Sequence, residues 1–133
     1  MKSKKLSVIV TSYNKEKYIS RCLRSLINQT LDRGSFEIII IDDYSTDNSK
    51  YVIDQFINPK DDFIKVIENK SNLGLPASLN KGIKISKGKY IVRVDSDDYV
   101  SEQFLFLLLF YAENNIDMDA IACDYFVFKE NEN

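Results

Sequence analysis

Short apolar runs alternate along the chain with longer segments in which apolar residues recur at helical spacing. Five runs rich in β-branched and aromatic residues predict strands: 6–10, 36–41, 63–68, 89–94 and part of 119–128. The second run contains four consecutive isoleucines. A run that is apolar at every position is typical of a strand covered on both faces, as in a parallel sheet.

Four helices are predicted between these strands, over about 15–28, 48–58, 76–88 and 101–115. Asn14 and Ser101 are the predicted N-caps of the first and fourth helices, and Pro76 suits the first turn of the third. The order β-α-β-α-β-α-β-α-β is typical of an α/β domain with a mostly parallel sheet and right-handed crossovers. The length suits a single domain, residues 1–133.

The fourth predicted helix is apolar nearly all the way round between residues 104 and 110. A helix with this pattern is typically buried and is not a surface helix. We therefore expect most of it to lie in the core, with one face left for a partner. Self-association through that face is the corresponding prediction.

Composition excludes several classes of function. The chain has 20 acidic and 18 basic residues, and its net charge is therefore −2. This charge gives no general attraction to nucleic acid or anionic membranes. The chain has no histidine, which excludes Ser-His-Asp and Cys-His catalysis and His-ligated zinc. Cys22 and Cys123 have no framework around them and are expected to be reduced, buried thiols of a cytoplasmic protein. The N-terminal pattern is unlike a signal peptide, and the apolar runs are too short to span a bilayer.

Polar clusters follow three of the predicted strands, at 11–14, 42–45 and 95–98. Ligands of open α/β sheets bind beyond the carboxyl ends of the strands, so the clusters line one crevice if strands one, two and four are neighbours. Such residues also cap the helices that follow strands, and this alternative is strongest for the first cluster. It is weakest for 95–98, because three carboxylates within four residues repel one another and a cap uses only one.

A cation would hold the carboxylates of 95–98 together. All-oxygen ligands suit Mg²⁺, Mn²⁺ or Ca²⁺. A calcium EF-hand loop starting at Asp95 requires Gly and Glu where this chain has Val100 and Phe106, so that interpretation fails. Mg²⁺ and Mn²⁺ take one or two carboxylates and complete their shell with phosphates and water. The cluster therefore predicts a phosphorylated ligand, most simply a diphosphate.

Other phosphate-binding motifs do not fit the chain. No G-x-G-x-x-G follows the first strand, which argues against a nicotinamide or flavin dinucleotide. Gly82 and Gly88 mimic a Walker A loop with a gap one residue too long, and Tyr90 stands where Ser or Thr is required.

Residues of the first two clusters suit a nucleoside. Tyr13 lies at the predicted crevice mouth, where its ring could stack on a base or simply pack at the rim. Asp42 or Asp43 could accept a hydrogen bond from a base N–H, such as uracil N3–H, or from a ribose hydroxyl. Helix N-termini that open toward the crevice would favour phosphates.

Four segments together resemble the family 2 glycosyltransferases, which have the GT-A fold. The resemblance covers residues 7–14, 37–45 (EIIIIDDYS), 72–82 (NLGLPASLNKG) and 90–98 (YIVRVDSDD), the last with the D-x-D motif. The motifs occur in order and cover almost the whole chain. The resemblance implies a GT-A, Rossmann-like α/β fold with a mostly parallel sheet flanked by helices.

The resemblance also implies the roles of individual residues. Thr11, Tyr13 and Asp43 match positions that hold the base, and Asp95 matches the acid near the ribose and the metal. Asp97 matches the acid that binds Mn²⁺ or Mg²⁺ directly, with Asp95 beside it. The nucleotide-sugar site implied in this way comprises Thr11, Tyr13, Asp42, Asp43, Asn72, Lys81, Asp95 and Ser96.

The activity implied by the resemblance is inverting transfer of a sugar from a nucleotide diphosphate donor, with UDP favoured. The acceptor would be a glycan or a lipid-linked molecule in bacterial polysaccharide synthesis. Such enzymes often act at the inner face of the membrane, which implies a cytoplasmic protein with peripheral membrane contact. Family domains continue well beyond the fifth strand, so the acceptor-binding part and the general base are expected outside this chain.

Two alternatives to a transferase remain at this stage. A nucleotide-sugar-binding module would keep the donor site without transferring the sugar. A phosphotransfer receiver domain also has an acidic pocket in a parallel sheet, but its acid pair should follow the first strand, which here ends in Thr-Ser-Tyr-Asn. One departure from the glycosyltransferase pattern is Leu79, which stands where the family often has an arginine near the diphosphate.

Overall fold

The computed structural model describes residues 3–129, which form a parallel sheet with helices on both faces. In chain order, strands β1 to β4 span Leu6–Ser12, Phe36–Asp42, Ile64–Glu68 and Tyr90–Asp95. Helices α1 to α4 span Ile19–Ile27, Ser49–Asp54, Leu75–Ile85 and Phe104–Asn114, and a short 3₁₀ helix covers Arg33–Ser35. All strand pairs in this part of the chain are parallel, in the order β3-β2-β1-β4. The predicted α/β class is confirmed.

The isoleucine run of β2 forms a strand that is buried on both faces. Ile38 and Ile40 belong to the larger core cluster, which includes residues of α1, α2 and α4. Ile39 and Ile41 face the opposite side, where Leu79 of α3 packs against them. Both faces of the sheet are therefore covered at its centre, as the sequence pattern predicts.

The strand order changes direction at β1. The chain adds β2 and β3 on one side of β1 and then crosses to the other side to add β4. Such a switch point opens a crevice outside the carboxyl ends of the strands. The loops that follow β1, β2 and β4 meet at this crevice, so the condition for the three polar clusters to line one crevice is met.

The first helix begins at Ile19, four residues later than predicted, and Asn14 is not its N-cap. Asn14 has a left-handed backbone (φ 51°), and its side-chain oxygen accepts hydrogen bonds from the N–H groups of Thr46 and Asp47. The residue thus caps backbone donors of the loop after β2. The prediction was wrong because an Asn side chain can satisfy donors that are distant in sequence as well as those of the next helix.

The fourth helix begins at Phe104 with Gln103 at its N-cap, so the predicted cap at Ser101 is also wrong. The helix buries Leu105 and Leu109. Four of its apolar residues are exposed: Phe106, Leu107, Phe110 and Tyr111. The expectation that most of this helix lies in the core is wrong for the described residues, because one side of it has no sheet or helix to pack on. Self-association through the exposed side stays a prediction.

The predicted fifth strand within 119–128 is not formed, although the structure describes this whole segment. Residues Ile121 to Cys123 instead line an apolar groove with β4 and α4, and the Phe128 ring stacks on Tyr99. Cys22 is buried as predicted, whereas Cys123 is exposed. An apolar run becomes a strand only where a neighbouring strand shares ladder hydrogen bonds with it, and β4 does not pair with this segment. Within residues 3–129 no helix has the length and apolar character needed to cross a bilayer.

A buried charge lies at the amino end of the sheet, opposite the crevice. Glu37 is fully buried and accepts hydrogen bonds from Ser7 Oγ (2.6 Å), Lys65 Nζ (2.7 Å) and the Lys87 N–H (2.7 Å). Burial alone would raise the pKa of Glu37, but these hydrogen bonds outweigh it and hold the pKa below its usual value. The carboxylate thereby ties β1, β3 and the α3–β4 loop together.

The pH dependence of stability should report this buried carboxylate. A depressed pKa in the folded state means that the contribution of Glu37 is full above its unfolded pKa of about 4.3 and is lost as the pH falls through the folded value. We expect Glu37→Gln to lower the free energy of unfolding by about 1–3 kcal/mol at pH 7 and to lose less stability on acidification. Urea denaturation at pH 7 and pH 3.5 measures both effects. Glu113→Gln, at an exposed ion pair with Lys5, is the control and should cost little.

Candidate functional site

The loops after β1, β2 and β4 line a cavity of about 370 Å³ at the switch point. Its lining consists of Thr11, Ser12, Tyr13, Lys15, Asp43, Leu75, Ser78, Arg93, Asp95, Ser96 and Asp97. Six of the predicted site residues at strand ends are brought together here: Thr11, Tyr13, Asp43, Asp95, Ser96 and Asp97. The convergence of the three polar clusters on one crevice is confirmed, while the roles of the residues stay predictions.

Hydrogen bonds fix the first two loops of the cavity against each other. The backbone N–H groups of Asn14 and Lys15 donate to the hydroxyls of Ser45 (3.0 Å) and Ser49 (2.8 Å). The Asp43 N–H donates to the carbonyl of Ser12 at 2.8 Å, which extends the pairing of β1 and β2 beyond their ends. Tyr13 lies between these bonds with an exposed ring, so its backbone is held while the ring faces the crevice.

Asp43 is the carboxylate of the second loop that faces the cavity. Its Oδ1 accepts hydrogen bonds from Asn69 Nδ2 (2.8 Å) and the Leu73 N–H (2.8 Å), and its Oδ2 accepts one from the Gly74 N–H (2.9 Å). Burial would raise the pKa of Asp43, but these donors outweigh burial and hold the pKa below its usual value. Asp43 is therefore ionised at neutral pH and held in one orientation.

Three other predicted residues lie outside the cavity lining. Asp42 is fully buried, and its Oδ2 accepts a hydrogen bond from the Ser45 N–H at 3.0 Å, while its Oδ1 has no partner among the described residues. Asn72 is exposed in the loop before α3. The ammonium of Lys81 donates to Asn69 Oδ1 at 2.7 Å. The structure thus separates these three from the residues that face the crevice.

The three carboxylates of the acidic loop after β4 differ in their surroundings. Asp95 Oδ1 accepts hydrogen bonds from Arg93 Nη2 (2.9 Å) and Nε (3.1 Å), and Asp97 Oδ2 pairs with Lys15 Nζ at 3.0 Å. Asp98 is not among the residues of the cavity lining, and burial together with the charges of Asp97 and Asp95 raises its pKa. Two carboxylates on the cavity side are therefore matched by two cations.

Burial beneath the acidic loop makes Cys22 inert as a nucleophile. The Cys22 thiol lies 3.6 Å from the backbone oxygen of Asp95. Burial raises its pKa to about 12, and the neighbouring carboxylates of 95–98 act in the same direction. The thiol therefore stays protonated and serves as packing under the loop.

The fit of a divalent cation can be judged from the oxygen donors of this loop. In the described part of the chain, no three acidic, histidine or cysteine side chains converge as a complete ligand set. Asp95 and Asp97 nevertheless both line the cavity. Mg²⁺ and Mn²⁺ are often held by one or two protein carboxylates, with phosphate and water completing the shell. Two carboxylates beside an open cavity fit such an ion when a phosphorylated ligand is bound with it.

Sequence reasoning missed four residues of this region: Lys15, Asn69, Ser78 and Arg93. Arg93 had a readable signal, because residues two apart on a strand point to the same face and Arg93 is two residues before Asp95. Lys15 follows the first cluster directly and could have been included with it. Asn69 and Ser78 carry no pattern of their own, since only the packing of α3 on the sheet brings them to Asp43.

A parallel sheet of this order, with an acidic cavity at its switch point, defines an α/β domain of the GT-A type. The chain belongs to glycosyl transferase family 2, whose family profile matches residues 7–133. Both the fold and the family inferred from the sequence motifs are thereby confirmed.

Relatives within and around this family agree with the fold. Over 116 residues the chain is 46% identical to a poly(ribitol-phosphate) beta-glucosyltransferase of Bacillus spizizenii, covering 86% of this chain and 18% of the relative. S. aureus TarS, in a crystal structure in complex with UDP-GlcNAc, is 32% identical in sequence to this chain and matches its fold with a TM-score of 0.76. The match covers 84% of this chain and 32% of that one. The structure of the mannosyltransferase PcManGT of Pyrobaculum calidifontis, in complex with GDP-Man and Mn²⁺, matches with a TM-score of 0.76 at 21% identity. The match covers 84% of this chain and 33% of that one, and at this identity it supports the fold alone. The chain spans at most a third of the length of these three proteins.

Proposed function

We propose that this chain is the donor-binding part of a metal-dependent inverting glycosyltransferase that uses a UDP-sugar. One observation carries the proposal: a fixed carboxylate, Asp43, and a carboxylate pair, Asp95 and Asp97, face the same cavity from the ends of the two strands that flank β1. Asp43 suits recognition of the nucleotide base, and the pair Asp95 and Asp97 suits a metal-bound diphosphate. Support also comes from TarS, a solved relative whose structure contains UDP-GlcNAc.

The base would be recognised at the β2 side of the cavity. Asp43 is an ionised acceptor held by three N–H donors and by the Ser78 hydroxyl, and it lines the cavity, where it can accept a ligand N–H. Uracil presents an N3–H donor, whereas cytosine presents an acceptor at the same position. The exposed ring of Tyr13 offers a face on which the base can stack.

The diphosphate would lie toward β4. Asp95 and Asp97 would hold the divalent cation, Mn²⁺ or Mg²⁺, which when bound offsets the charge that develops on the leaving diphosphate. Lys15 and Arg93 are the cations on the cavity wall and would attract the phosphates electrostatically. Ser96 lies between the two acids in sequence and also lines the cavity, so its hydroxyl could donate a hydrogen bond to the diphosphate.

The acceptor is the part of the proposal that rests on the relatives alone. Relatives named as poly(ribitol-phosphate) glycosyltransferases favour a polyol-phosphate or lipid-linked glycan acceptor in bacterial cell-surface polymer synthesis. Inverting transfer needs a general base for the acceptor hydroxyl, and we expect that base outside residues 1–133, with the acceptor site. Action at the inner face of the membrane would follow from a lipid-linked acceptor.

Calorimetric titration of UDP, with and without Mn²⁺, tests the donor site. We expect UDP to bind with Mn²⁺ and to bind at least about tenfold more weakly without it, because Asp95 and Asp97 would otherwise face the diphosphate as like charges. CDP with Mn²⁺ should also bind about tenfold more weakly than UDP, since its base lacks the N3–H. Absence of UDP binding in the presence of Mn²⁺ would contradict the proposal.

A further inference from the structure

Asp43 is anchored by hydrogen-bonded side chains that connect it to α3. Asn69 follows β3 directly, and its Nδ2 donates to Asp43 Oδ1 (2.8 Å) and to Ser78 Oγ (3.0 Å). Its Oδ1 accepts from Lys81 Nζ at 2.7 Å. Asn69 and Ser78 are buried, and Ser78 and Lys81 lie one helical turn apart on α3. Ser78 also lines the cavity, whereas Asn69 and Lys81 connect the helix to the carboxylate from outside the lining.

The two ends of this chain fix the orientation of the Asn69 amide. A carboxylate only accepts hydrogen bonds, so Asp43 requires the NH₂ group of the amide. An ammonium only donates, so Lys81 requires the amide oxygen. A flipped amide would place like partners together at both ends. Lys81 thus determines which way Asn69 points, and Asn69 determines where Asp43 points.

We infer that Lys81 and Asn69 are positioning residues that set the base preference of the site through Asp43, and that Lys81 does not contact the diphosphate. The ammonium of Lys81 is engaged by Asn69, and neither residue is among the residues of the cavity lining. This inference rests on the proposed function, because it takes Asp43 as the acceptor of a base N–H. It assigns to Lys81 an indirect role within the nucleotide site.

The inference predicts an effect on one part of the ligand only. In Lys81→Met the amide of Asn69 loses its fixed orientation, and the Asp43 carboxylate loses one of its three N–H donors for part of the time. We expect affinity for UDP to fall about tenfold, while affinity for CDP and for inorganic pyrophosphate changes by less than twofold. The preference for UDP over CDP is therefore the measured quantity, by calorimetry with Mn²⁺ present.

Three further variants separate positioning from loss of charge or of folding. Lys84→Met makes the same change at an exposed lysine of α3 and should leave the UDP preference unchanged. Lys81→Arg keeps a donor for Asn69 Oδ1 and should restore most of the preference. Asn69→Asp keeps a partner for Lys81 but faces Asp43 with a like charge, and it should lose the preference as fully as Lys81→Met.

A ligand-free measurement separates failure of this inference from failure of the proposed function. The Asp43 carboxyl can be titrated by carbon NMR, and its pKa should move up toward the ordinary value of about 3.9 in Lys81→Met but not in Lys84→Met. If wild-type protein shows no preference for UDP over CDP, the base assignment fails and the titration alone decides the positioning role. Equal losses of affinity for UDP, CDP and pyrophosphate in Lys81→Met would overturn the inference and indicate a direct phosphate contact instead. An unchanged UDP preference together with an unchanged Asp43 titration would also overturn it.

Discussion

Gly88→Ala should destabilise the fold by about 3 kcal/mol or more, the largest stability effect expected from a single methyl group in this chain. A Cβ at Gly88 would lie 2.4 Å from the backbone nitrogen of Ser7 and 2.5 Å from the carbonyl carbon of Leu6. Both atoms belong to the backbone at the start of β1, a central strand, so neither can move without disturbing the sheet. The glycine is required for close approach and not for its backbone angles.

The same contact supports the buried carboxylate at this end of the sheet. The Gly88 N–H donates to Ser7 Oγ at 2.8 Å, and that hydroxyl donates to Glu37 at 2.6 Å. Pushing the α3–β4 loop away from β1 would therefore weaken the hydrogen bonds of a fully buried charge as well as the packing. The steric and the electrostatic costs add in the same direction.

Gly34→Ala is the matched control for this experiment. The only atom closer than 3 Å to a Cβ at Gly34 is Oδ2 of Asp32, the far end of a side chain that can rotate away. Chemical denaturation of both variants should give a near-normal midpoint for Gly34→Ala and a strongly lowered one for Gly88→Ala. Equal midpoints would mean that the loop before β4 can shift without cost.

The sequence was most informative where one local pattern had one structural outcome. Four isoleucines in a row can be fully buried only in a strand or helix covered on all sides, and the turn-forming residues around them exclude a long helix. The three polar clusters were placed at one edge of the sheet for a similar reason, since the carboxyl ends of parallel strands lie on the same edge. The order of the strands, which brings the clusters to one crevice, is given by the structure.

The failures share a dependence on partners that are distant along the chain. Asn14 has the residue type of an N-cap, but its side chain finds the loop after β2, thirty-two residues away, instead of the next helix. Residues 119–128 have the composition of a strand, yet no described strand pairs with them. The hydrogen bond between Lys81 and Asn69 could not be inferred from the sequence either, because it depends on how α3 packs on the sheet. The local sequence pattern predicts the type of element, but the residues with which that element pairs or hydrogen-bonds depend on the tertiary fold.

The pairing of acids and cations around the cavity has a consequence for ligand binding. Asp97 and Lys15 form an ion pair at 3.0 Å, and both side chains are partly exposed. A divalent cation bound by Asp97 would compete with Lys15 for the carboxylate and would leave the ammonium available to a phosphate. Under the proposed function, Lys15 and Arg93, which pair with Asp97 and Asp95, would be released toward the diphosphate when the cation binds these acids.

Asp97→Asn should remove the Mn²⁺-dependent gain in UDP affinity, a loss of about 100-fold in the presence of the ion. Substitution of residues that merely support metal ligands already costs about 10–100-fold in metal affinity, and here one of only two carboxylate ligands is neutralised. Without Mn²⁺ the expected sign is reversed, because the variant carries one less negative charge and frees Lys15 for the diphosphate. UDP should then bind Asp97→Asn at least as well as it binds wild-type protein.

Opposite effects in the two conditions distinguish a metal ligand from a structural residue. A variant that merely loosened the loop would bind UDP more weakly with and without Mn²⁺, and its melting temperature would fall. Asp54→Asn makes the same chemical change on an exposed position of α2 and should alter neither titration. If Asp97→Asn kept the wild-type dependence on Mn²⁺, Asp97 would not be a ligand, and the cation would have to be held by Asp95 and the diphosphate without it.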